Sequence, residues 1–409
     1  MIRRVSYLSM HTSPLLQPGA GDAGGMNVYV DELARTMVTR GVDVDVFTRR
    51  HAPDLPDAVD VLPGYRVHHV DAGPAAIIPV RRLARHVRAF ADGVTERMRA
   101  TGPPDVIHTN YWLSGWAGLV VKRELGIPMA NSFHTLARVK DMTRRDDEPP
   151  ESLLRIATEH EVIDGADCLV ASTPFEAADL MEHYGADPSR LCMSPPGVDH
   201  TVFAPGSRDE ARMRLGLGPG RLVLFVGRIQ PLKGVDVALD AIGSLVAEFG
   251  DLRFRVIGGP SGRAGRAELE SLVRRSHALG IRDRVEFLDP VPHRELADHY
   301  RAADALILPS RSETFGLVAA EAQSCGLPVV AARAGGLSHV VEHEESGLLV
   351  EGWDPDDYAE AIRRILSDRT LADRLSEGAV RFAERFSWEA TANRFLELYE
   401  GASIRAEAG

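Results

Sequence analysis

The sequence predicts an α/β protein made of two doubly wound domains, on three observations. Short β-branched runs alternate with amphipathic helical segments along the chain, which is the pattern of parallel sheets covered by helices. A chain of 409 residues is too long for one compact core, and its length suits two domains of about 200 residues each. A proline- and glycine-rich segment beginning at Pro195 separates two such series. We therefore predict domains at 1–198 and 199–385, and a C-terminal helix at 386–409 whose return onto the first domain is left open.

Each predicted strand is a short apolar run followed by a loop. The strands of the first half are VSYLSM (Val5–Met10), VDVDVFT, YRVHHVD, DVIHTN, PMANSFH, DCLVAS and RLCMSP. Between the first two, Asn27 to Arg40 carries apolar residues at helical spacing, and Gly41 ends the helix. The strands of the second half are RLVLFVGR, FRVIGG, RVEFLDP, ALILPS, PVVAAR and GLLVE, before a final helix in FSWEATANRFLELYE.

Composition narrows the class of protein. The formal net charge of −12 disfavours non-specific nucleic-acid binding. No apolar run approaches the length of a membrane span, and the N-terminus lacks the apolar core of a signal peptide. Cys168, Cys192 and Cys325 lack metal-site spacing, and we interpret all three as buried thiols. We expect a cytoplasmic protein without nucleic-acid partner or membrane insertion.

Loops after the strands carry the candidate chemistry, because ligands of open α/β sheets sit at the carboxyl ends of strands. The first strand leads to His11 and the glycine-rich loop TSPLLQPGAGDAGGMN, whose N–H groups at a helix N-terminus suit a phosphate. A plain turn is the alternative. In the second half a strand leads directly to Arg228, followed five residues later by Lys233. A guanidinium fork and an ammonium can bracket a diphosphate, with an exposed loop pair as the alternative.

Two carboxylates flank a small, apolar segment after a later strand. Glu313 ends the strand region and Glu321 follows eight residues later. A helix beginning near Phe315 would place Glu321 nearly two turns inside it, on an apolar face. A buried carboxylate needs a partner, for which a sugar hydroxyl is one candidate and an ion pair the other.

Polar residues of the first half also follow strands. Tyr111 follows one strand, His134 and Thr135 follow the next, and Arg155 lies in a later helix. A lone histidine at a strand end is more often structural than functional. Because these residues face the same predicted cleft, we favour a functional role for them.

Three motifs together resemble glycosyltransferase family 4, whose fold is GT-B. They are VGRIQPLKG (Val226–Gly234), SETFGLVAAEA and GGLSHVVEHEESGLLV, and the resemblance covers essentially the whole chain. The segments SMHTSPLLQPGAGDAGGMNVYV, HTNYWLSG, FHTLARVK, LDPVP and YRAAD are similar to family members of mycothiol biosynthesis. Those members transfer N-acetylglucosamine from UDP-GlcNAc to 1D-myo-inositol 3-phosphate.

The resemblance implies a retaining hexosyltransferase that binds a small-molecule acceptor in the first domain and the UDP-sugar in the second. By the same resemblance, the enzyme requires no cofactor or metal besides the UDP-sugar co-substrate. Whether it forms a homodimer is left open. The implied catalytic residues are His134, Arg228, Lys233 and Glu313. The implied donor-binding residues are Gln17, Pro18, Gly25, Arg228, Lys233, Val291, Glu313 and Glu321. The implied acceptor-binding residues are His11, Asp22, Ala23, Gly24, Gly25, Met26, Asn27, Tyr111, Thr135 and Arg155.

One position departs from the mycothiol pattern. Those members carry a lysine that grips the acceptor phosphate where this chain has Val80, and the first lysine here is Lys122. Arg81 or Arg82 would compensate only if they point toward the site, which a helical segment disfavours. A paralogue with glucose as donor sugar, or with another phosphorylated or neutral polyol as acceptor, is therefore an alternative. So is an inactive nucleotide-sugar sensor, whereas a 2-epimerase or a pyridoxal-dependent phosphorylase fits less well.

The expected mechanism uses cations rather than a metal. The acidic pair Asp43 and Asp45 lies inside a strand, so it is not a strand-end metal motif. Arg228, Lys233 and helix N-termini would stabilise the leaving diphosphate. With no candidate nucleophile for a covalent intermediate, we expect front-face attack with a leaving-group oxygen as base, and a contact between His134 and the donor sugar.

Overall fold

The computed structural model describes residues 1–19, 21–146, 148–262 and 265–408 and contains two α/β domains, each built on a largely parallel sheet. The strands of the first sheet are β1 (Arg4–Leu8), β2 (Asp43–Arg49), β3 (Ala58–Leu62), β4 (Tyr65–Val70), β5 (Val106–Asn110), β6 (Met129–Ser132), β7 (Cys168–Ala171) and β8 (Leu191–Met193). Those of the second are β9 (Leu222–Val226), β10 (Arg253–Ile257), β11 (Val285–Leu288), β12 (Ala305–Leu308), β13 (Val329–Ala332) and β14 (Gly347–Val350).

Helices connect these strands and cover the sheets. Those of the first domain are α1 (Gly25–Thr39), α2 (Val80–Leu83), α3 (Val87–Thr101), α4 (Trp112–Leu125), α5 (Ala137–Thr143), α6 (Leu153–Gly165) and α7 (Pro174–Tyr184). Those that follow are α8 (Arg208–Arg214), α9 (Val235–Leu245), α10 (Gly265–Ala278), α11 (Leu296–Ala302), α12 (Leu317–Ser324), α13 (Leu337–Val340), α14 (Pro355–Ser367), α15 (Arg369–Ala383) and α16 (Trp388–Ala408). Among the described residues, no helix is both long and apolar enough to span a bilayer.

Strand order places a crevice beside the first strand of each sheet. The second sheet runs β11-β10-β9-β12-β13-β14, and the first runs β3-β4-β2-β1-β5-β6-β7-β8. In both, the chain builds one side of the sheet and then crosses to the other side of its first strand. Ligands of doubly wound sheets bind at this switch point. A ligand-binding site is therefore expected at the loops after β1 and β9.

The predicted strands all coincide with observed ones, whereas β3 was missed. This strand pairs antiparallel with β4 at the sheet edge, and its residues are half-buried or exposed. The other strands are predicted by their runs of apolar residues. An edge strand does not need such a run, because it is not buried on both faces.

The two faces of the first sheet are buried by different helices. Val5 and Tyr7 of β1 lie in one apolar cluster with residues of α1 and α16, whereas Leu8 packs in another with residues of α3 and α4. In α16, Phe395 and Tyr399 are fully buried in the first cluster. The C-terminal helix thus covers the sheet of the first domain.

The chain crosses between the domains twice, and the two crossings lie side by side. Val198 N–H donates to the carbonyl of Phe386 at 3.2 Å. Gly197 passes so close to the second crossing that a Cβ there would lie 2.1 Å from the backbone nitrogen of Trp388. Glycine is required at this position because no side chain fits.

The expectation of three buried thiols is wrong for two of the cysteines. Cys168 and Cys192 form a disulfide between β7 and β8, with Cα atoms 6.2 Å apart. The register pairs Val170 with Cys192, and Cys168 lies two residues from Val170, so both side chains share one face of the sheet. Cys325 remains a buried thiol, and burial raises its pKa to about 12.

Candidate active site

The two switch-point loops meet across the cleft between the domains. Gly24, at the end of the loop after β1, lies against Arg228, so that a Cβ there would stand 3.1 Å from the guanidinium Nε. In the same loop, the carbonyl of Gly19 accepts a hydrogen bond from Gly259 N–H of the second domain at 2.8 Å. The glycine-rich loop therefore faces the cationic loop, and glycine permits the close approach.

Asn27 holds the glycine-rich loop in place. Its amide Nδ2 donates to Thr12 Oγ1 at 2.8 Å and to the Ser13 carbonyl at 2.5 Å, and its Oδ1 accepts from Gly24 N–H at 2.8 Å. The side chain is buried. The structure thus engages Asn27, predicted as an acceptor ligand, in positioning the loop. Of the neighbouring predicted residues, Ala23 is buried, Asp22, Gly24 and Met26 are half-buried, and Gly25 is exposed.

The cationic loop owes its shape to a tight turn after β9. Residues Pro231–Lys233 form a single 3-10 turn, and Gly234 follows with φ +66°. A Cβ at Gly234 would lie 2.2 Å from the carbonyl of Pro309. The glycine of the KG motif is therefore needed both for its left-handed backbone and for lack of space. This turn brings the Lys233 side chain back over the cleft, where it forms an ion pair with Glu313.

Arg228 lies in a desolvated position. Burial lowers the pKa of its guanidinium, while Asp22 and Glu313 act in the opposite direction. Its Nη1 contacts Ser261 Oγ at 3.4 Å. A guanidinium remains protonated in proteins, so the cleft holds a permanent cation in surroundings that weaken screening. Such a charge strongly favours an anionic ligand.

Glu321 is buried with two partners that the sequence reasoning missed. Its Oε1 lies 2.7 Å from His293 Nε2, and its Oε2 accepts from the Tyr300 hydroxyl at 3.1 Å. Burial works to lower the pKa of His293, but Glu321 outweighs it and the pKa is raised. The ion-pair alternative for both carboxylates is thus realised, since Glu313 pairs with Lys233. Only the position of His293 beyond strand β11 hinted at its role.

The predicted helical position of Glu321 needs correction. Helix α12 begins at Leu317 rather than near Phe315, and Gly316 before it has φ +105°. Glu321 is thus the fifth residue of α12, little more than one turn from its start at about 3.6 residues per turn. The left-handed Gly316 cannot continue a helix toward Phe315.

Gln17 and Val291, both predicted on the donor side, meet across the domains. The Gln17 amide donates to the backbone carbonyl of Val291 and, more weakly at 3.4 Å, to the carbonyl of Pro18. Gly19 packs beside Pro290, with 3.2 Å between a Cβ at Gly19 and the proline ring. The loop after β1 therefore reaches the loop after β11.

Four of the predicted acceptor residues, His11, Tyr111, Thr135 and Arg155, form one contiguous group. The rings of His11 and Tyr111 lie 4.5 Å apart, and the Arg155 guanidinium carbon lies 5.1 Å from the centre of the Tyr111 ring. Arg155 Nη2 donates to the Thr135 hydroxyl at 3.0 Å and to its carbonyl at 2.9 Å. Arg155 is buried, and its Nε donates to Glu159 at 2.7 Å.

His11 is a neutral histidine directed at this group. Its pKa is lowered to about 3, first by burial and then by Arg228, His134 and Arg155. Among the described residues its Nδ1 is buried without a hydrogen-bond partner. Buried polar atoms are normally paired, so this nitrogen is a candidate contact for a ligand hydroxyl.

The comparisons with known proteins decide the family. Residues 24–197 match the Glycosyl transferase 4-like domain, and residues 207–382 match Glycosyl transferases group 1. The chain belongs to the group 1 glycosyltransferases. It is 47% identical to a D-inositol 3-phosphate glycosyltransferase of Thermomonospora curvata, over 100% of this chain and 97% of that protein. It is 49% identical to D-inositol 3-phosphate glycosyltransferase 2 of Catenulispora acidiphila, over 97% and 94%.

Solved structures show the same two-domain GT-B fold. Sucrose-phosphate synthase from Thermosynechococcus elongatus has a TM-score of 0.91 at 32% identity, covering 97% of this glycosyltransferase and 98% of that chain. Anabaena Alr3699/HepE, solved with UDP and glucose, has a TM-score of 0.76 at 19% identity, covering 97% and 99%. At that identity the likeness concerns the fold alone.

His134 of the glycosyltransferase is held from three sides. It follows β6 with φ +60°, a conformation that non-glycine residues seldom adopt. Its Nε2 lies 2.8 Å from Asn110 Oδ1, and its ring meets the Tyr29 ring edge-on at 4.9 Å. Its carbonyl accepts from Thr314 Oγ1 at 2.5 Å. Burial lowers its pKa to about 3, so the ring is neutral.

The segment that departs from the family pattern is helical in the glycosyltransferase. Val80 begins α2 and packs partly buried against the apolar cluster that Tyr111 also contacts. Arg81 and Arg82 are exposed. Their exposure agrees with the expectation that a helical segment keeps them from replacing the lysine expected at Val80.

Proposed function

We propose that this glycosyltransferase transfers N-acetylglucosamine from UDP-GlcNAc to 1D-myo-inositol 3-phosphate, with retention of anomeric configuration. One observation carries the proposal: the acceptor group of His11, Tyr111, Thr135 and Arg155 lies beside the cation Arg228, which lowers the pKa of His11 together with Arg155. The names of relatives 45–49% identical over nearly the whole chain support the inositol phosphate.

The donor half of the site uses Arg228 and Lys233 for the diphosphate. In the structure Lys233 is paired with Glu313. A diphosphate would compete for the ammonium and leave the Glu313 carboxylate to accept hydrogen bonds from hydroxyls of the donor sugar. The buried Glu321 would accept from the ribose hydroxyls, and the backbone near Val291 would pair with uracil.

The chemical step proposed is a front-face substitution. The bond between the sugar C1 and the leaving phosphate oxygen breaks, and a bond from C1 to the acceptor oxygen forms on the same face. The acceptor proton passes to an oxygen of the departing diphosphate. Glu321 is held by His293 and Tyr300. Glu313 is proposed to bind hydroxyls of the donor sugar once the diphosphate takes Lys233, so neither carboxylate is assigned as a covalent nucleophile. Arg228 and Lys233 stabilise the charge that develops on the diphosphate.

The configuration of the product tests this step. Proton NMR of the purified product, made from α-linked UDP-GlcNAc and 1D-myo-inositol 3-phosphate, should show an α-anomeric coupling. A β-linked product would contradict front-face transfer.

A second candidate is supported by Val80 and by the structural likeness to sucrose-phosphate synthase. In this alternative the chain transfers a hexose from a UDP-sugar to a different phosphorylated polyol. The donor half of the site would be unchanged, and only the acceptor group would differ. Comparing acceptors with one donor separates the two candidates.

A further inference from the structure

A buried hydrogen-bonded chain connects the C-terminal helix with the strand that leads to His134. The Tyr399 hydroxyl of α16 lies 2.7 Å from His108 Nδ1, and His108 Nε2 lies 2.9 Å from Ser132 Oγ. His108 belongs to β5, and Ser132 is the last residue of β6, two positions before His134. The chain thus runs from a helix that covers the sheet to the edge of the cleft.

The middle member of this chain is held rigidly. The ring of His108 stacks on that of Phe395 in α16, with centroids 5.1 Å apart, and meets the Tyr7 ring edge-on at 5.5 Å. Burial lowers the pKa of His108 to about 3, so the neutral ring accepts one of its two hydrogen bonds and donates the other. The ring cannot turn without breaking both bonds, and it therefore fixes the distance between α16 and β6.

A second residue of β5 holds the same loop. The register of β5 and β6 pairs Asn110 with Ser132 and His108 with Ala130. His108 and Asn110 are two positions apart in β5 and so lie on one face of the sheet. Asn110 Oδ1 lies 2.8 Å from His134 Nε2. One face of β5 therefore fixes both the last residue of β6 and the imidazole that follows it.

His134 needs such support because its backbone is strained. Its φ of +60° lies in the left-handed region, which non-glycine residues seldom adopt. A strained backbone persists only where the surrounding structure holds it in place. Tyr399 and His108 are fully buried, and Ser132 is 4% exposed. None of the three reaches a substrate, so an influence on the reaction must pass through His134.

We propose that this chain positions His134: through Tyr399 and His108, the C-terminal helix fixes the end of β6 and directs the imidazole toward the donor sugar. Ser132 is the contact with β6. The inference rests on the proposed function, in which His134 contacts that sugar. Because α16 follows the second crossing between the domains, the segment that joins the domains also supports the donor-sugar end of the first domain.

Tyr399→Phe tests the chain, since it removes one hydroxyl and keeps the ring. It should lower kcat for transfer from UDP-GlcNAc by about two- to tenfold, the range expected for the loss of one hydrogen bond. Affinity for UDP should stay unchanged, because UDP lacks the sugar that His134 is proposed to contact. Ser132→Ala breaks the next link and should give the same pattern.

The matched control is Tyr358→Phe in the second domain. Tyr358 is also fully buried, and its hydroxyl donates to the Gly352 carbonyl at 3.0 Å. This variant should unfold at lower urea concentration than the wild type but keep the wild-type kcat. A purely structural role of Tyr399 predicts the same result for Tyr399→Phe, which would overturn the inference.

A double-mutant cycle shows whether the effect passes through His134. In the His134→Ala protein the chain has no imidazole to position, so Tyr399→Phe should lower kcat no further. An equal fold loss in both backgrounds would overturn the inference.

Nitrogen-15 NMR of labelled histidines distinguishes failure of the inference from failure of the proposed function. The His134 signals should shift in Tyr399→Phe and stay in place in Tyr358→Phe, whether or not sugar is transferred. Shifted signals in a protein that does not glycosylate 1D-myo-inositol 3-phosphate overturn the proposed function and keep the positioning chain. Normal transfer with unmoved His134 signals overturns the chain alone, and unmoved signals without transfer overturn both.

Discussion

The Thr314 hydroxyl donates a 2.5 Å hydrogen bond to the backbone carbonyl of His134, across the cleft between the domains. Thr314 directly follows Glu313, which is proposed to bind the donor sugar. The Thr314 carbonyl in turn accepts from Thr173 Oγ1 at 3.2 Å. The proposed donor-sugar ligands of the two domains are thus linked by one residue, and domain closure and site assembly are expected to be coupled.

Thr314→Val tests this link. Loss of one hydrogen bond worth about 0.5–1.5 kcal/mol should lower kcat/KM for the UDP-sugar by about two- to tenfold. Steady-state kinetics with varied donor measures the effect. Thr314→Ser keeps the hydroxyl and should stay close to wild type. Equal kinetics of the valine and wild-type proteins would show that the bond does not contribute.

Lys233→Ala should abolish most turnover. The ammonium is proposed to stabilise the departing diphosphate, and removal of one such group costs about 10²–10³-fold in kcat. His134→Ala should cost less, because the imidazole is proposed only to contact the donor sugar. Rates of UDP release at saturating substrates give the comparison. Wild-type activity in Lys233→Ala would contradict the proposed mechanism.

Asn110 is expected to fix the tautomer of His134. With the Asn110 Oδ1 as acceptor, the proton of the neutral ring lies on Nε2, and Nδ1 is left to accept from a hydroxyl. Nitrogen-15 NMR of labelled histidines should show this tautomer, with His134→Gln identifying the signal. Asn110→Leu should alter the tautomer ratio and raise KM for the donor. A protonated Nδ1 in the wild type would refute this assignment.

The glycine of the KG motif should be needed for stability as well as for the site. Gly234→Ala places a Cβ 2.2 Å from the Pro309 carbonyl and requires a left-handed alanine, so it should destabilise by more than about 1–2 kcal/mol. Gly41 has a similar φ of +77° with no atom within 4 Å of its Cβ position. Gly41→Ala isolates the backbone cost, and urea unfolding compares the two. Equal losses would exclude the proposed clash.

Stability should fall as the pH decreases below neutrality. The pKa values of His11, His108 and His134 are each lowered by burial to about 3, below the unfolded value of about 6.5. The unfolded chain therefore binds more protons between these values. Each histidine contributes a loss of up to about 1.4 kcal/mol per pH unit as the pH falls through this window.

Urea unfolding between pH 7 and pH 5 measures this slope. His293 acts in the opposite sense because its pKa is raised, so the difference between wild type and His11→Asn is the informative quantity. The variant should show a shallower dependence on pH. Identical slopes would mean that folding does not lower the pKa of His11.

Much of the arrangement follows from local sequence, because parallel strands deliver their following residues to one edge of the sheet. This is why His11, Tyr111, Thr135 and Arg228 could be placed around one cleft from strand positions alone. In the same way, the apolar runs of β1 and β9 predicted strands of the two sheets. Helix α16 was predicted, but its position on the first sheet depends on contacts of Tyr399 with distant residues.

Features set by tertiary contacts could not be predicted from the sequence. The Lys233–Glu313 pair joins residues 80 positions apart, and His293, one of the two partners of Glu321, lies 28 positions from it. The Cys168–Cys192 disulfide depends on the register of two strands, which spacing alone does not give. The motif that predicts Asn27 as a ligand does not reveal that its side chain also holds the loop, because the hydrogen bonds to Thr12 and Ser13 are tertiary contacts.

Acceptor-dependent UDP release tests the central claim most directly. Purified protein is given UDP-GlcNAc or UDP-glucose, each with and without 1D-myo-inositol 3-phosphate. We expect rapid release from UDP-GlcNAc only when the inositol phosphate is present, and slower release from UDP-glucose. The proposed function would be contradicted by release that does not depend on the inositol phosphate with either donor. Release that occurs only from UDP-glucose would also contradict it.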